Sequence, residues 1–244
     1  MADLSVKVAG VDFNSPLIAA SGTFGFGHEY SNFYDLSNLG GISCKGITLK
    51  KRLGNPPPRI AETPSGILNA VGLQNPGVDH FIEKDLPWLK KQGTVIIANI
   101  AGNTQEEYGQ MAEKLSDTDI DMIELNISCP NVKSGGVAFG TSCESVANIT
   151  KYVRDHCKKP LIVKLSPNVT DIAEIAKSAE ANGADAISMI NTLTGMRIDI
   201  NSRRPIIRNN TGGMSGAAVF PVAVRMVWQV SNAVKIPIIG MGGI

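Results

Sequence analysis

A parallel α/β fold of the TIM (β/α)8 class is predicted by three observations on the 244-residue sequence. Short apolar runs alternate with longer amphipathic stretches almost from end to end. The runs are rich in β-branched residues over five or six positions, as suits parallel strands covered on both faces. Polar residues recur at or just past the ends of different runs: Lys45, Asn99, Asn126, Lys164 and Asn191. In such a barrel the C-terminal strand ends converge on one mouth, where catalytic side chains collect.

The strands are read in order as 16-PLIAASG, 41-GISCKGI, 94-TVIIANIAG, 122-MIELNIS, 160-PLIVKLSP, 186-AISMINT and 236-IPIIGMGG. Helices are expected over roughly 78–91, 104–116, 142–157, 170–182 and 217–233. Thr141-Ser142 with Glu144 close behind suits a helix N-cap. Ile172, Ile175, Ala176 and Ala179 make one apolar helix face. An open dinucleotide-binding sheet would instead place GxGxxG after its first strand, and Ala20-Ser21-Gly22-Thr23-Phe24-Gly25 fits that poorly. Period-two alternation over 5–13 predicts a small hairpin below the barrel. The segments 50–74 and 197–215 are too long for ordinary connections and are expected to be lids or contact surfaces. Seven strands are visible. The eighth is expected to be missing from this chain, because a closed barrel calls for on the order of 50–60 further residues. Residues 1–244 are thus expected to form a single, C-terminally incomplete barrel domain.

Composition narrows the function. With 23 basic against 22 acidic residues, the net charge of +1 gives no general electrostatic reason to bind nucleic acid or an acidic membrane. No apolar run approaches the ~20 residues that span a bilayer, and the N-terminus lacks the features of a signal peptide. Cys44, Cys129, Cys143 and Cys157 show no zinc spacing, so no metal is expected. A cytoplasmic protein with reduced thiols is the expectation.

Three constellations carry chemistry. In 126-NISCPN-131 the fourth strand ends and turns at Pro130, placing Cys129 at the mouth before the glycine-containing run 132-VKSGGVAFG-140. A buried structural cysteine is the ordinary alternative; at the catalytic face a thiol with a pKa near ~8.5 serves as a general base. His28, His80 and His156 fall in or near predicted helices and are read as surface or packing residues. In 69-NAVGLQNPGV-78, Asn69 and Asn75 bring amides while Gly72 and Gly77 permit close backbone approach, a pattern that turn formation alone also explains. Beside Asn126, Asn131, Asn191 and Thr192 it suggests a pocket reading amide or imide edges of a planar ring. Lys45 offers a counter-charge for a carboxylate. Finally, 240-GMGGI-244 with Gly216 lies where such barrels often bind phosphate through backbone N–H groups.

In sequence order, 20-ASGTFG-25, 43-SCKGIT-48, 69-NAVGLQNPG-77, 98-ANI-100, 126-NISCPN-131, Lys164, 190-INT-192, 212-GGMSG-216 and 240-GMGG-243 resemble the dihydroorotate dehydrogenases, flavoproteins of pyrimidine biosynthesis. The resemblance implies FMN at the mouth, contacted by Ala20, Ser21, Lys45, Gly46, Asn99, Asn126, Lys164, Ile190, Gly216, Gly242 and Gly243. It implies substrate contacts from Lys45, Asn69, Val71, Gly72, Leu73, Asn126, Asn131, Asn191 and Thr192. It makes Cys129 the base, with Lys45 beside it in catalysis, which marks the cytosolic rather than the serine-based, membrane-bound class. The segments 54–77 and 134–140 resemble the NAD-linked branch. That branch implies a homodimer of this chain joined to an iron–sulfur and FAD subunit in a heterotetramer, with electrons passing to NAD. The fumarate-linked homodimer is the alternative. A tRNA dihydrouridine synthase is disfavoured by the charge balance, and a truncated barrel that holds no FMN is the non-catalytic rival.

Overall fold

The computed structural model describes residues 3–128 and 139–244. All seven expected strands are present: β1 (Ile18–Ala19), β2 (Gly41–Ser43), β3 (Val95–Ile100), β4 (Met122–Asn126), β5 (Leu161–Lys164), β6 (Ala186–Met189) and β7 (Ile238–Gly240). They form one parallel sheet in which each strand pairs with its sequence neighbours, from β1 at one edge to β7 at the other. The connections carry helices over 78–92, α1 (Gln105–Ser116), α2 (Cys143–Asp155), α3 (Ile172–Ala181) and α4 (Phe220–Ser231).

Local chemistry fixes the helix starts. Thr104 accepts from the Glu107 N–H at 3.3 Å, and Asp171 accepts from Ala173 and Glu174. Ser142 caps α2 as expected, although its reciprocal partner is Ser145 rather than Glu144. Each cap occupies N–H groups that a helix start otherwise leaves unpaired.

Alternation along the strands separates two environments. Ile96, Ala98, Ile100, Ile123, Leu125, Leu161, Val163, Ile187 and Met189 face the helices and join the main core. The opposite face begins apolar at the strand starts, where Ile97, Met122, Ile162 and Ala186 surround the ring of Phe13. Phe13 comes from the predicted hairpin, Val6–Val8 paired with Val11–Phe13, and is 1% exposed. The hairpin therefore closes the base of the inner face with an aromatic plug.

Higher on the same face the residues turn polar: Ser43, Asn99, Glu124, Lys164 and Ser188, all buried. Glu124 on β4 hydrogen-bonds both Ser43 on β2 and Ser188 on β6, each two strands away. In a flat sheet two strand spacings come to almost 10 Å, beyond the reach of one carboxylate. The sheet is curled into a half-barrel with this face inside.

The two long segments expected to be lids or contact surfaces do something the sequence did not reveal. Ile60–Thr63, Gly66–Asn69, Thr211–Ser215 and Leu193–Met196 join in one four-stranded antiparallel sheet. Leu193 directly follows Thr192, so this sheet rises from the mouth at the end of β6.

Candidate active site

The strand ends gather most of the sequence-predicted residues. Ala20 and Ser21 follow β1, and Ser21 is buried as a short helical turn begins. Lys45 and Gly46 follow β2, Asn99 lies in β3, Asn126 ends β4 and Lys164 ends β5. Ile190, Asn191 and Thr192 follow β6, while Gly242 and Gly243 follow β7. Cys129 and Asn131 lie outside the described residues.

The described residues interlock. Asn126 Oδ1 accepts from Ser128 N–H at 3.3 Å and from Asn191 Nδ2 at 3.4 Å. Tyr108 from α1 donates to the Asn126 carbonyl at 2.8 Å. Ser128 Oγ donates to the Lys164 carbonyl at 3.3 Å, joining the ends of β4 and β5. Asn69 Nδ2 donates to the Gly213 carbonyl at 3.4 Å, and a Cβ on Gly213 would stand 2.1 Å from Thr192 Oγ1. The antiparallel sheet is thus packed directly onto Thr192. Val71, Gly72 and Leu73 continue from Asn69, with Leu73 close to Gly46.

Not every amide singled out faces the mouth. Asn75 is buried and fully engaged in bracing its own turn, through Thr48, Gly77 N–H and the Leu73 carbonyl. The structural alternative holds for this residue.

Electrostatics at the centre are dominated by a residue that attention to strand ends missed. Glu124 Oε1 accepts from Ser188 Oγ at 2.6 Å; Oε2 accepts from Ser43 Oγ at 2.7 Å and from Asn99 Nδ2, with Lys164 Nζ 3.9 Å away. Burial alone would raise its pKa, but the Lys164 ammonium and the hydrogen bonds from Ser188, Ser43 and Asn99 outweigh it and hold the carboxyl below its ordinary 4.5. The available signal was a carboxylate inside an otherwise apolar run, two residues from Asn126 and so on the same face. The Lys45 pKa is lowered as well, but by burial and then the nearby Arg59 guanidinium, both of which disfavour its charged form. Burial pushes the Cys44 thiol up, which leaves it a packing residue.

Three features suit a flavin. Asn99 Oδ1 is buried with no hydrogen-bond donor among the described residues, an acceptor waiting for a ligand N–H. Lys164 Nζ makes no hydrogen bond among the described residues and has Glu124 as its ion-pair partner. The backbone N–H groups of Gly242 and Gly243 have no backbone acceptor among the described residues, and a Cβ on Gly243 would stand 2.9 Å from the Gly216 carbonyl oxygen. The described residues hold no cluster of His, Cys, Asp and Glu able to bind a metal, and no helix long and apolar enough to cross a membrane.

Comparison with known proteins gives one answer. Residues 3–244 match the family model for dihydroorotate dehydrogenase. The chain is 59% identical over 242 residues to a protein of Alkaliphilus metalliredigens, covering 99% of this chain and 80% of that one. It is 60% identical over 240 residues to one of Lachnoclostridium phytofermentans, and 58% identical over 245 residues to one of Bacteroides thetaiotaomicron, with 80% and 81% of those proteins covered. Each of these is named dihydroorotate dehydrogenase B (NAD(+)), catalytic subunit. On a match that runs the length of the described strands and mouth, the chain belongs to the dihydroorotate dehydrogenase family.

Proposed function

We propose that this chain oxidises dihydroorotate to orotate in pyrimidine biosynthesis, as the catalytic subunit of an NAD-linked dihydroorotate dehydrogenase. The name shared by relatives 58–60% identical over almost the whole chain carries the reaction and its acceptor. The unpartnered Asn99 Oδ1 supports the cofactor. On this reading residues 1–244 act as one FMN-binding unit, the half-barrel being most of a TIM barrel.

FMN is placed against Ala20, Ser21, Lys45, Gly46, Asn99, Asn126, Lys164 and Ile190, with its phosphate at Gly216, Gly242 and Gly243. When bound it supplies the hydride acceptor for the substrate's C6 hydrogen. Lys45 Nζ holds the substrate carboxylate. Asn69, Asn126, Asn131 and Asn191 grip the amide edges of the ring, with Thr192, Val71, Gly72 and Leu73 completing the walls. Cys129 Sγ, as thiolate, takes the C5 proton, leaving a C5–C6 double bond once C6 has lost its hydride. Holding both carbons in register is where much of the acceleration lies. The word subunit in the relatives' name supports a partner, proposed as an iron–sulfur and FAD protein that joins a homodimer of this chain and relays electrons to NAD in the cytoplasm.

The test is the visible spectrum of the purified protein before and after anaerobic dihydroorotate. Flavin absorbance that bleaches is expected. A protein that takes up no FMN, or holds it without bleaching, overturns the reading.

A further inference from the structure

Of the buried ionisable groups, Glu124 has the most partners and no part in the chemistry above. It is 2% exposed and lies above an apolar layer of Ile97, Met122, Ile162 and Ala186. A carboxylate there is costly unless its charge is matched and its lone pairs are filled. Both conditions are met by side chains from four other strands: Ser43, Asn99, Lys164 and Ser188. Replacing such a centre with well-packed apolar groups is often neutral or stabilising, so stability alone is a poor account of it.

Its partners give a better one. Asn99 Nδ2 donates to Glu124, and that bond decides which way the amide faces. The amide oxygen is turned away from Glu124 and is left as an acceptor; a Cβ on Gly46 would stand 3.1 Å from it. The absence of a side chain at Gly46 keeps that approach open. Lys164, 5% exposed, has the Glu124 carboxylate as its counter-charge. One carboxylate therefore sets both the polarity of an amide and the net charge of the layer beneath the mouth.

We infer that Glu124 is a positioning residue for the flavin: it presents Asn99 Oδ1 to the cofactor as an acceptor, and it balances the Lys164 ammonium so that the cofactor rests on a layer of no net charge. This rests on the flavin reading above. With the balance in place, Lys164 contributes direction to the site without strongly biasing the cofactor toward its more negative, reduced form.

The test is the affinity of the protein for oxidised and for reduced FMN, read as the ratio of the two dissociation constants and, equivalently, as the midpoint potential of bound FMN. In Glu124→Gln the Lys164 charge stands unbalanced, and the preference for reduced FMN is expected to rise about tenfold, moving the potential in the positive direction. Glu124→Asp keeps the charge but draws it back from Lys164 by one methylene, and a smaller rise in the same direction is expected. A residue with a purely structural role would change stability without this graded shift. An unchanged or negative-going potential in Glu124→Gln overturns the inference; should that variant fail to fold, an unchanged potential in Glu124→Asp does the same. Wild-type protein that takes up no FMN overturns the flavin reading and this inference together, whereas wild-type protein that binds FMN beside variants with no shift overturns only the role of Glu124.

Discussion

Ser188 Oγ donates a 2.6 Å hydrogen bond to Glu124 Oε1 although the two residues stand two strands apart in the parallel sheet. Together with the Ser43 bond on the other side, it ties β2, β4 and β6 across the inner face. The tie depends on the carboxylate being ionised. Because the Glu124 pKa is held below 4.5 in the folded chain, the folded state binds this proton less readily than the unfolded chain does. The contribution is complete above the unfolded value and is lost as pH falls through the folded one. Urea midpoints are expected to fall as pH drops below about 5, and Glu124→Gln to remove part of that slope; an identical slope in the variant would exclude the carboxylate as its source.

Phe13 fills the base of the inner face and its ring lies on Gly41, where an added Cβ would be 2.9 Å away. Truncation of a buried aromatic leaves a cavity that rigid strands cannot collapse. Phe13→Ala is expected to lower stability by about 3–5 kcal/mol, measured by denaturant unfolding. Flavin uptake by the molecules that remain folded should persist, since the plug lies at the opposite end from the mouth.

Gly213 has no room for a side chain against Thr192. Gly213→Ala should lift the antiparallel sheet away from the substrate wall. The KM for dihydroorotate is expected to rise about tenfold, with the FMN dissociation constant little changed, because displacement of a positioning element by a fraction of an ångström disturbs substrate alignment first. Equal losses in substrate and FMN binding would show that the sheet supports the whole mouth.

Lys45 is held below its ordinary 10.5 by burial and by Arg59. Substrate capture by an ammonium fails once that ammonium deprotonates, so kcat/KM should have an alkaline limb below that value. Replacing Arg59 with Gln removes one of the two causes and should move the limb to higher pH. A limb that stays put in Arg59→Gln would assign it to another group.

Cys129→Ser replaces the proposed base with a hydroxyl that ionises far less readily. Reduction of bound FMN by dihydroorotate is expected to slow by about 10²–10⁴-fold at neutral pH, with FMN affinity preserved. Stopped-flow measurement of the bleaching rate checks this, and an unchanged rate removes Cys129 from the role of base.

Much of this was legible in the sequence because parallel strands and amphipathic helices repeat on short periods. The seven apolar runs, the Ser142 cap and the hairpin ending at Phe13 all depend on residues a few positions apart. Glu124 escaped notice because its partners are Ser43, Asn99, Lys164 and Ser188, which lie 81, 25, 40 and 64 positions away. Curling of the sheet, rather than any local pattern, brings them together. Asn75 misled for the opposite reason: a turn that needs an internal amide looks in sequence like a ligand-binding one. The four-stranded antiparallel sheet was hidden because 66-GILN and 211-TGGMS are rich in glycine and become strands through long-range pairing.

That pairing also orders events in time. Asn69 meets Gly213 across 144 positions, so the wall against Thr192 cannot be completed until a ribosome has passed Gly213. Contacts of such long separation are slow to form and leave strand edges exposed meanwhile. The first six strands of the parallel sheet can accumulate one by one before this wall forms, since β6 ends at Met189, ahead of the Thr211–Ser215 strand. A nascent chain would thus hold β1 to β6 before it gains the wall that lies on Thr192.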